Sequence, residues 1–284
     1  MSTRREFLRS IPTLSIGFVL PVISEKTQAQ QPGLNREVGI QLWTLRDALK
    51  EDLTGTLEAL KEAGYSGIEA FGFDGAFYGH SAIEFNSICA GIGLRIYSSH
   101  TAITFGNARY IAEKGAEAGL GYLVLPSMMG RAQNTADDYR KTAYEMNQIG
   151  EVCKKFNICF GYHNHDFEFK PIDGLLPYDI LLHETDPSLV SFQLDIYWVI
   201  KAGADPIHYF KKHPGRFRTW HIKDMGRDGE SCIIGNGKID FKNLLAYAGE
   251  AGLDRIFVEQ EHYSEGLPLY CAEQSLRYIQ SNLF

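Results

Sequence analysis

The stretch Phe160-Gly161-Tyr162-His163-Asn164-His165-Asp166-Phe167-Glu168-Phe169 puts two histidines two positions apart after an apolar run. In a β-strand side chains alternate faces, so His163 and His165 would point the same way. Two imidazoles at a strand's end can bind a metal, shuttle protons or grip hydroxyls. Three later stretches also close an apolar run with ligand-type residues: Gln193-Leu194-Asp195, Trp220-His221-Ile222-Lys223-Asp224 and Val258-Glu259-Gln260-Glu261. Brought together, His163, Asp195, His221 and Glu259 would offer two imidazoles and two carboxylates to one divalent ion. That mixed nitrogen and oxygen set suits Mn²⁺, Co²⁺, Zn²⁺ or Fe²⁺ better than Ca²⁺. An open position on such an ion would polarise a substrate carbonyl or hydroxyl.

These residues need a frame that gathers strand ends. Apolar and polar periodicity predicts strands over 38–43, 67–71, 94–100, 122–126, 158–165, 190–196, 217–223 and 255–261. Helical spacing fills the intervals over 52–63, 81–90, 107–118, 135–156, 177–184, 205–212, 240–251 and 268–281. Thr135, followed by Asp137 and Asp138, reads as an N-cap with acids in the first helical turn. Eight strand–helix units in roughly 250 residues predict a single-domain α/β fold, a (β/α)8 TIM barrel. A doubly wound open sheet is the alternative. Against it, no Gly-rich GxGxxG motif follows the first strand, and Gln41, Glu69, His100, His163, His165, Asp195, His221 and Glu259 all recur near strand C-termini. In a barrel those ends form one mouth.

The first 30 residues differ in kind. Thr3-Arg4-Arg5-Glu6-Phe7-Leu8-Arg9 precedes an apolar run from Ile11 to Ile23 and a small-residue region at Thr27-Gln28-Ala29. A basic start, an apolar middle and a small-residue end describe a signal peptide, here similar to a twin-arginine signal. The expected organisation is therefore a signal at 1–30, a tether at 31–37 and the barrel at 38–284. The expected localisation is periplasmic, with no stable membrane insertion after signal removal. The chain of 284 residues carries a formal charge of −7, which disfavours a nucleic-acid partner because no basic stripe is present to displace counterions. Five scattered cysteines without a CxxC pair do not make a disulfide framework.

Several motifs together resemble the xylose-isomerase-like TIM-barrel superfamily, the sugar phosphate isomerases and epimerases. They are Tyr162 to Phe169, Asp195-Ile196-Tyr197-Trp198 with Ala202-Gly203-Ala204-Asp205-Pro206, His221-Ile222-Lys223-Asp224, Gly235-Asn236-Gly237-Lys238-Ile239-Asp240, and Phe257-Val258-Glu259-Gln260-Glu261. The resemblance implies a divalent metal held by Glu, Asp, His and Glu from strands five to eight. Asp195, His221 and Glu259 match the last three, and His163 stands where relatives carry the first Glu. Arg227, six residues after His221, stands where the family often has an Arg that touches substrate.

The activity so implied is enolisation of a sugar or keto-sugar by a metal-dependent isomerase or epimerase. A lyase or dehydratase, or a glycoside-cleaving enzyme, acting on a 3-keto sugar or an inosose is the alternative. A non-catalytic sugar-binding protein is an alternative of another class, and a nuclease on the same barrel is disfavoured by charge. His165, Glu259 and Lys223 are the expected catalytic groups. Glu69, His100, Arg227 and Trp198 are the expected substrate contacts, with Trp43, Phe71 and Tyr197 as candidates for an apolar wall. The base on strand five could be His163 or His165, and the ligand assignment between them is open. A homo-oligomer is compatible with the sequence.

Overall fold

The computed structural model describes residues 37–284. The twin-arginine segment, and the tether apart from Glu37, lie outside the described residues. Eight parallel strands close into a barrel: β1 Val38–Gln41, β2 Gly67–Phe71, β3 Arg95–His100, β4 Tyr122–Leu125, β5 Cys159–His163, β6 Val190–Asp195, β7 Thr219–Ile222 and β8 Arg255–Val258. They follow one another around the ring in chain order, and β8 pairs with β1 to close it. The expected single-domain (β/α)8 barrel is thus the observed fold, and the open sheet is excluded.

Local chemistry sets the boundaries. Helix Leu53–Ala63 starts at Asp52, whose side chain accepts from Gly55 N–H, and stops at Gly64, where φ is +105°. Helix Ala136–Lys154 begins with a capping box between Thr135 and Asp138, as its first turn predicts. Helix Pro206–Lys212 has Asp205 as its cap. Strand β1 ends earlier than the sequence suggests. The Gln41 side chain accepts from Trp43 N–H and starts a 3₁₀ turn, Leu42–Leu45, which carries Trp43 out of the sheet. The helix expected over 240–251 is broken into Phe241–Leu245 and Ala248–Ala251. Short helices Arg46–Glu51 and Ile196–Lys201 and two small hairpins, Ala76–Phe77 with His80–Ser81 and Asp224–Met225 with Ser231–Cys232, decorate the loops after β1, β2, β6 and β7.

Strand register determines what faces inward at the top of the barrel. Gln41 lies beside Glu69, His163 beside Gln193, and Asp195 beside His221. Between β2 and β3 the register shifts after Ile68, so that Glu69 pairs with Ser98 and Phe71 with His100. The aliphatic and aromatic core surrounds this polar layer, with Trp220 stacked on Phe210 at 4.6 Å. All five cysteines are free, and no helix among the described residues is long and apolar enough to cross a membrane.

Candidate metal centre

Four groups from consecutive strands meet at the mouth. His163 ends β5, Asp195 ends β6, His221 lies in β7, and Glu259 follows β8 directly. One ligand atom from each lies within 4.8 Å of the other three, and all four residues are buried. His221 Nδ1 is 3.1 Å from Glu259 Oε2 and 3.8 Å from Asp195 Oδ2. His163 Nε2 is 4.0 Å from Asp195 Oδ2. Asp195 Oδ2 itself is buried, makes no hydrogen bond of good geometry and faces the Lys223 ammonium at 3.1 Å. A buried carboxylate oxygen grouped with two imidazoles and a second carboxylate, and already facing the Lys223 ammonium, is a place that accommodates positive charge. The residues present therefore fit a divalent ion of the Zn²⁺ or Mn²⁺ type.

Lys223 sits at the edge of this cluster, fully buried. Its Nζ is 2.8 Å from Glu259 Oε2, 2.5 Å from Glu261 Oε1 and 3.1 Å from Asp195 Oδ2. Burial works against its charge, but the carboxylates of Asp195, Glu259 and Glu261 outweigh it and hold the ammonium well above the usual lysine range. The Trp198 ring lies 5.1 Å from that ammonium, and half-buried Trp198 leaves its Nε1–H without a partner. Asp224, at the end of the same motif, holds the loop behind it. Asp224 accepts from the backbone N–H groups of Met225, Gly235, Gly237 and Ile239. Those amides are consumed internally, and a Cβ at Gly237 would overlap Asp224 Oδ1, so the Gly235-Asn236-Gly237 turn is a structural cradle.

The two histidines of the opening motif do meet, but not through strand alternation. Strand β5 stops at His163, and Asn164 turns inward to bond both the N–H and the C=O of Asp195. His165 lies past the strand, where Glu168 accepts from its backbone N–H at 2.8 Å. This turn brings the His165 ring to 5.1 Å from that of His163, against Phe167 and Trp198. Its Nδ1 is buried and unpartnered. Burial and the nearby Lys223 ammonium lower its basicity to a pKa of about 4, so the ring is neutral rather than poised at neutrality as its unperturbed value suggests.

Glu69, expected as a substrate contact, lies within the barrel, and His100 is part-buried against the rings of His163 and His221. Glu69 is fully buried beneath the ligand cluster, bonded to Gln41, Gln193 and His221. Its carboxylate is consumed within the barrel, which removes it from direct substrate contact. His100 Nε2 is 2.7 Å from Gln193 Oε1, and its ring stacks on His221 at 5.3 Å. Arg227 is exposed in the turn of the hairpin formed by Asp224–Met225 and Ser231–Cys232. Trp43 and Phe71 pack edge to face at 5.1 Å and leave Trp43 42% exposed at the rim, whereas Tyr197 is buried.

A family model described as "Xylose isomerase-like TIM barrel" matches residues 57–282. The chain belongs to the xylose isomerase-like TIM barrel family. Among solved structures, a sugar phosphate isomerase/epimerase from Parabacteroides distasonis ATCC 8503 superposes with a TM-score of 0.78 at 29% identity, over 90% of this chain and 98% of that one. The IOLI protein with a bound zinc atom shares the fold, with a TM-score of 0.69 at 14% identity over 87% of this chain and 98% of that one. An inosose dehydratase from Clostridium tetani (strain Massachusetts / E88) is 28% identical over 167 residues, 51% of this chain and 55% of that protein. The match thus spans about half the length of this curated relative.

Within this xylose isomerase-like barrel, sequence reasoning missed three site residues. Gln193 and Asp195 share a strand face, a period-two signal that could have flagged Gln193 as inward-facing. Asn164 and Glu168 carry weaker signals, since polar residues in a loop are ordinarily solvated. Only tertiary packing makes Glu168, flanked by Phe167 and Phe169, a fully buried carboxyl bonded to Tyr162 Oη at 2.5 Å.

Proposed function

We propose that this protein is a divalent-metal-dependent enzyme that enolises a keto-polyol, an inosose or a 3-keto sugar, and then expels water or an alcohol from the adjacent carbon. The observation that carries this reading is the convergence of His163, Asp195, His221 and Glu259, with neutral His165 beside them. Relatives named inosose dehydratase and a barrel that binds zinc support the same class of chemistry.

His163 Nε2, Asp195 Oδ2, His221 Nδ1 and Glu259 would hold the ion. When bound, it would supply positive charge beside the substrate carbonyl and acidify the neighbouring C–H. His165 Nδ1, which has no protein partner, takes that proton. The C–H electron pair becomes the new carbon–carbon double bond, and the C–O bond on the next carbon breaks with its pair. The His165 imidazolium returns its proton to the leaving oxygen, so water or an alcohol departs and the ring is neutral again. One group on one face performs both transfers, whereas epimerisation needs a proton delivered to the opposite face. Lys223 steadies Glu259 and Asp195 in their ionised forms. Trp198 Nε1–H is free to bind a substrate hydroxyl, and Trp43 offers an apolar rim to a ring.

The test is metal analysis of the purified protein, followed by incubation with inososes and 3-keto-glucosides in D₂O. An unsaturated ketone should form with loss of water or alcohol. Deuterium retained in a rearranged sugar, with no leaving group lost, would return the assignment to an isomerase or epimerase. Tight sugar binding without any turnover would favour the non-catalytic reading. The proposed setting is the periplasm, on the strength of Arg4-Arg5 before the apolar run. Replacing both with Lys should hold the precursor in the cytoplasm, and unchanged periplasmic recovery would refute that route.

A further inference from the structure

A chain of hydrogen bonds under the ligand cluster has one consistent arrangement of protons. Glu69 is fully buried, and its Oε1 accepts from the Gln41 side-chain NH₂, whose own oxygen is fixed by Trp43 N–H, so the carboxyl acts as an acceptor. Its Oε1 is 2.6 Å from His221 Nε2, so that nitrogen carries a hydrogen and Nδ1 is the nitrogen turned toward Asp195 and Glu259. Its Oε2 is 2.7 Å from the Gln193 side-chain amide, which must therefore present NH₂ and not oxygen. With the amide so fixed, Gln193 Oε1 is an acceptor. It lies 3.1 Å from His163 Nδ1, so Nδ1 carries the hydrogen and Nε2 keeps its lone pair, facing Asp195 Oδ2.

We infer that Glu69 is the positioning residue for both imidazole ligands: it keeps the His221 hydrogen on Nε2, so that Nδ1 is the nitrogen that gives up its proton and turns a lone pair to the ion, and through the Gln193 amide it sets the His163 tautomer that aims Nε2 at the same place. The inference rests on the metal-site reading above for its purpose, but not for its proton arrangement. It also accounts for a carboxylate buried on a strand that contributes no ligand. Carboxylates and amides behind histidine ligands fix ring orientation and raise ligand basicity.

The Glu69→Gln variant tests it through a specific consequence. The oxygen of the new amide stays with His221 and Gln41, because both donate to that position. Its NH₂ then faces the NH₂ of Gln193, which must flip. Flipped Gln193 presents its NH₂ to both His163 Nδ1 and His100 Nε2, so each ring gives up the hydrogen on that nitrogen, and the His163 proton moves to Nε2, the nitrogen that faces Asp195. In the ion-free wild-type protein, long-range ¹H–¹⁵N correlation spectra of labelled histidines should show His163 protonated at Nδ1, and in Glu69→Gln at Nε2. Titration with Co²⁺ alone, followed by its visible bands, should show affinity about 10- to 100-fold weaker in the variant. Gln193→Leu, which leaves the Glu69–His221 bond in place, should also release His163 from its Nδ1–H form and weaken Co²⁺ binding, and it serves if Glu69→Gln does not fold. A wild-type His163 protonated at Nε2 overturns the inference, as does unchanged Co²⁺ affinity in a variant whose His163 tautomer has switched. If the wild type takes up no Co²⁺, the proposed function fails, and the His163 spectrum alone decides the proton arrangement.

Discussion

Asp195 divides two tasks between its two oxygens. Oδ1 accepts from Trp198 N–H at 3.0 Å and caps the short helix Ile196–Lys201, while Oδ2 faces His163, His221 and the Lys223 ammonium. The two tasks separate by mutation. Asp195→Asn keeps a capping oxygen and removes the ligand charge, whereas Asp195→Ala removes both. We expect both variants to lose bound metal, and Asp195→Ala to be less stable than Asp195→Asn by about 1 kcal/mol, the usual worth of an N-cap. Metal content and chemical denaturation, both of the ion-free proteins for the second measurement, check this. Full metal occupancy in Asp195→Asn would remove Asp195 from the ligand set. The residue scale is also where the sequence was most informative. Asp195 ends β6, His221 lies one residue before the end of β7 and Glu259 follows β8, and these positions place them at the mouth. Glu69 instead lies at the middle of β2, two residues before its end, and is fully buried. Its partners Gln41, Gln193 and His221 come from three other strands, a meeting that no single-strand pattern encodes.

At the scale of elements, the loop after β5 shows why the site was less legible than the barrel. Alternation assigned His165 to the strand, but the side chains of Asn164 and Glu168 bend the chain back and deliver the ring by a turn. Burial raises the Glu168 carboxyl to about 7, although Tyr162 and the His165 amide both donate to it. An acid whose folded pKa exceeds its unfolded value binds more protons when folded, so stability falls as pH rises between the two values. The window here runs from about 4.5 to about 7, and the loss across it is on the order of 3 kcal/mol. Glu168→Gln removes this titration. Urea unfolding of the ion-free proteins across that window should give a wild-type stability that declines with pH relative to the variant. Parallel pH profiles for the two proteins would show that Glu168 does not titrate in that window.

For the whole molecule, the question is how a barrel tolerates so much buried charge. Glu69, Asp195 and Glu259 are carboxylates within the polar layer, and Lys223 and His221 are the cations that face them. Burial disfavours the imidazolium, but Glu259 and Glu69 outweigh it and raise His221 to about 10, so the ion-free protein carries its own partial neutralisation. Lys223 touches the same Asp195 and Glu259 oxygens that would bind a metal. The ammonium and the ion are therefore alternative sources of positive charge for one pair of carboxylates. From this we expect chelation to lower the wild-type melting temperature without unfolding the barrel. In Lys223→Met the carboxylates lose their internal partner, and removing one member of a buried pair costs roughly 3–5 kcal/mol. For a protein of this size that corresponds to a melting temperature on the order of 10 °C lower. Saturating metal should recover much of that loss, because binding to the folded state alone stabilises it by mass action. The variant should also bind the ion more tightly, since no ammonium competes for the oxygens. Thermal unfolding of both proteins with and without chelator decides the matter: the chelator-induced drop must be larger in Lys223→Met. An equal drop in the two proteins would mean that Lys223 and the ion act on different charges.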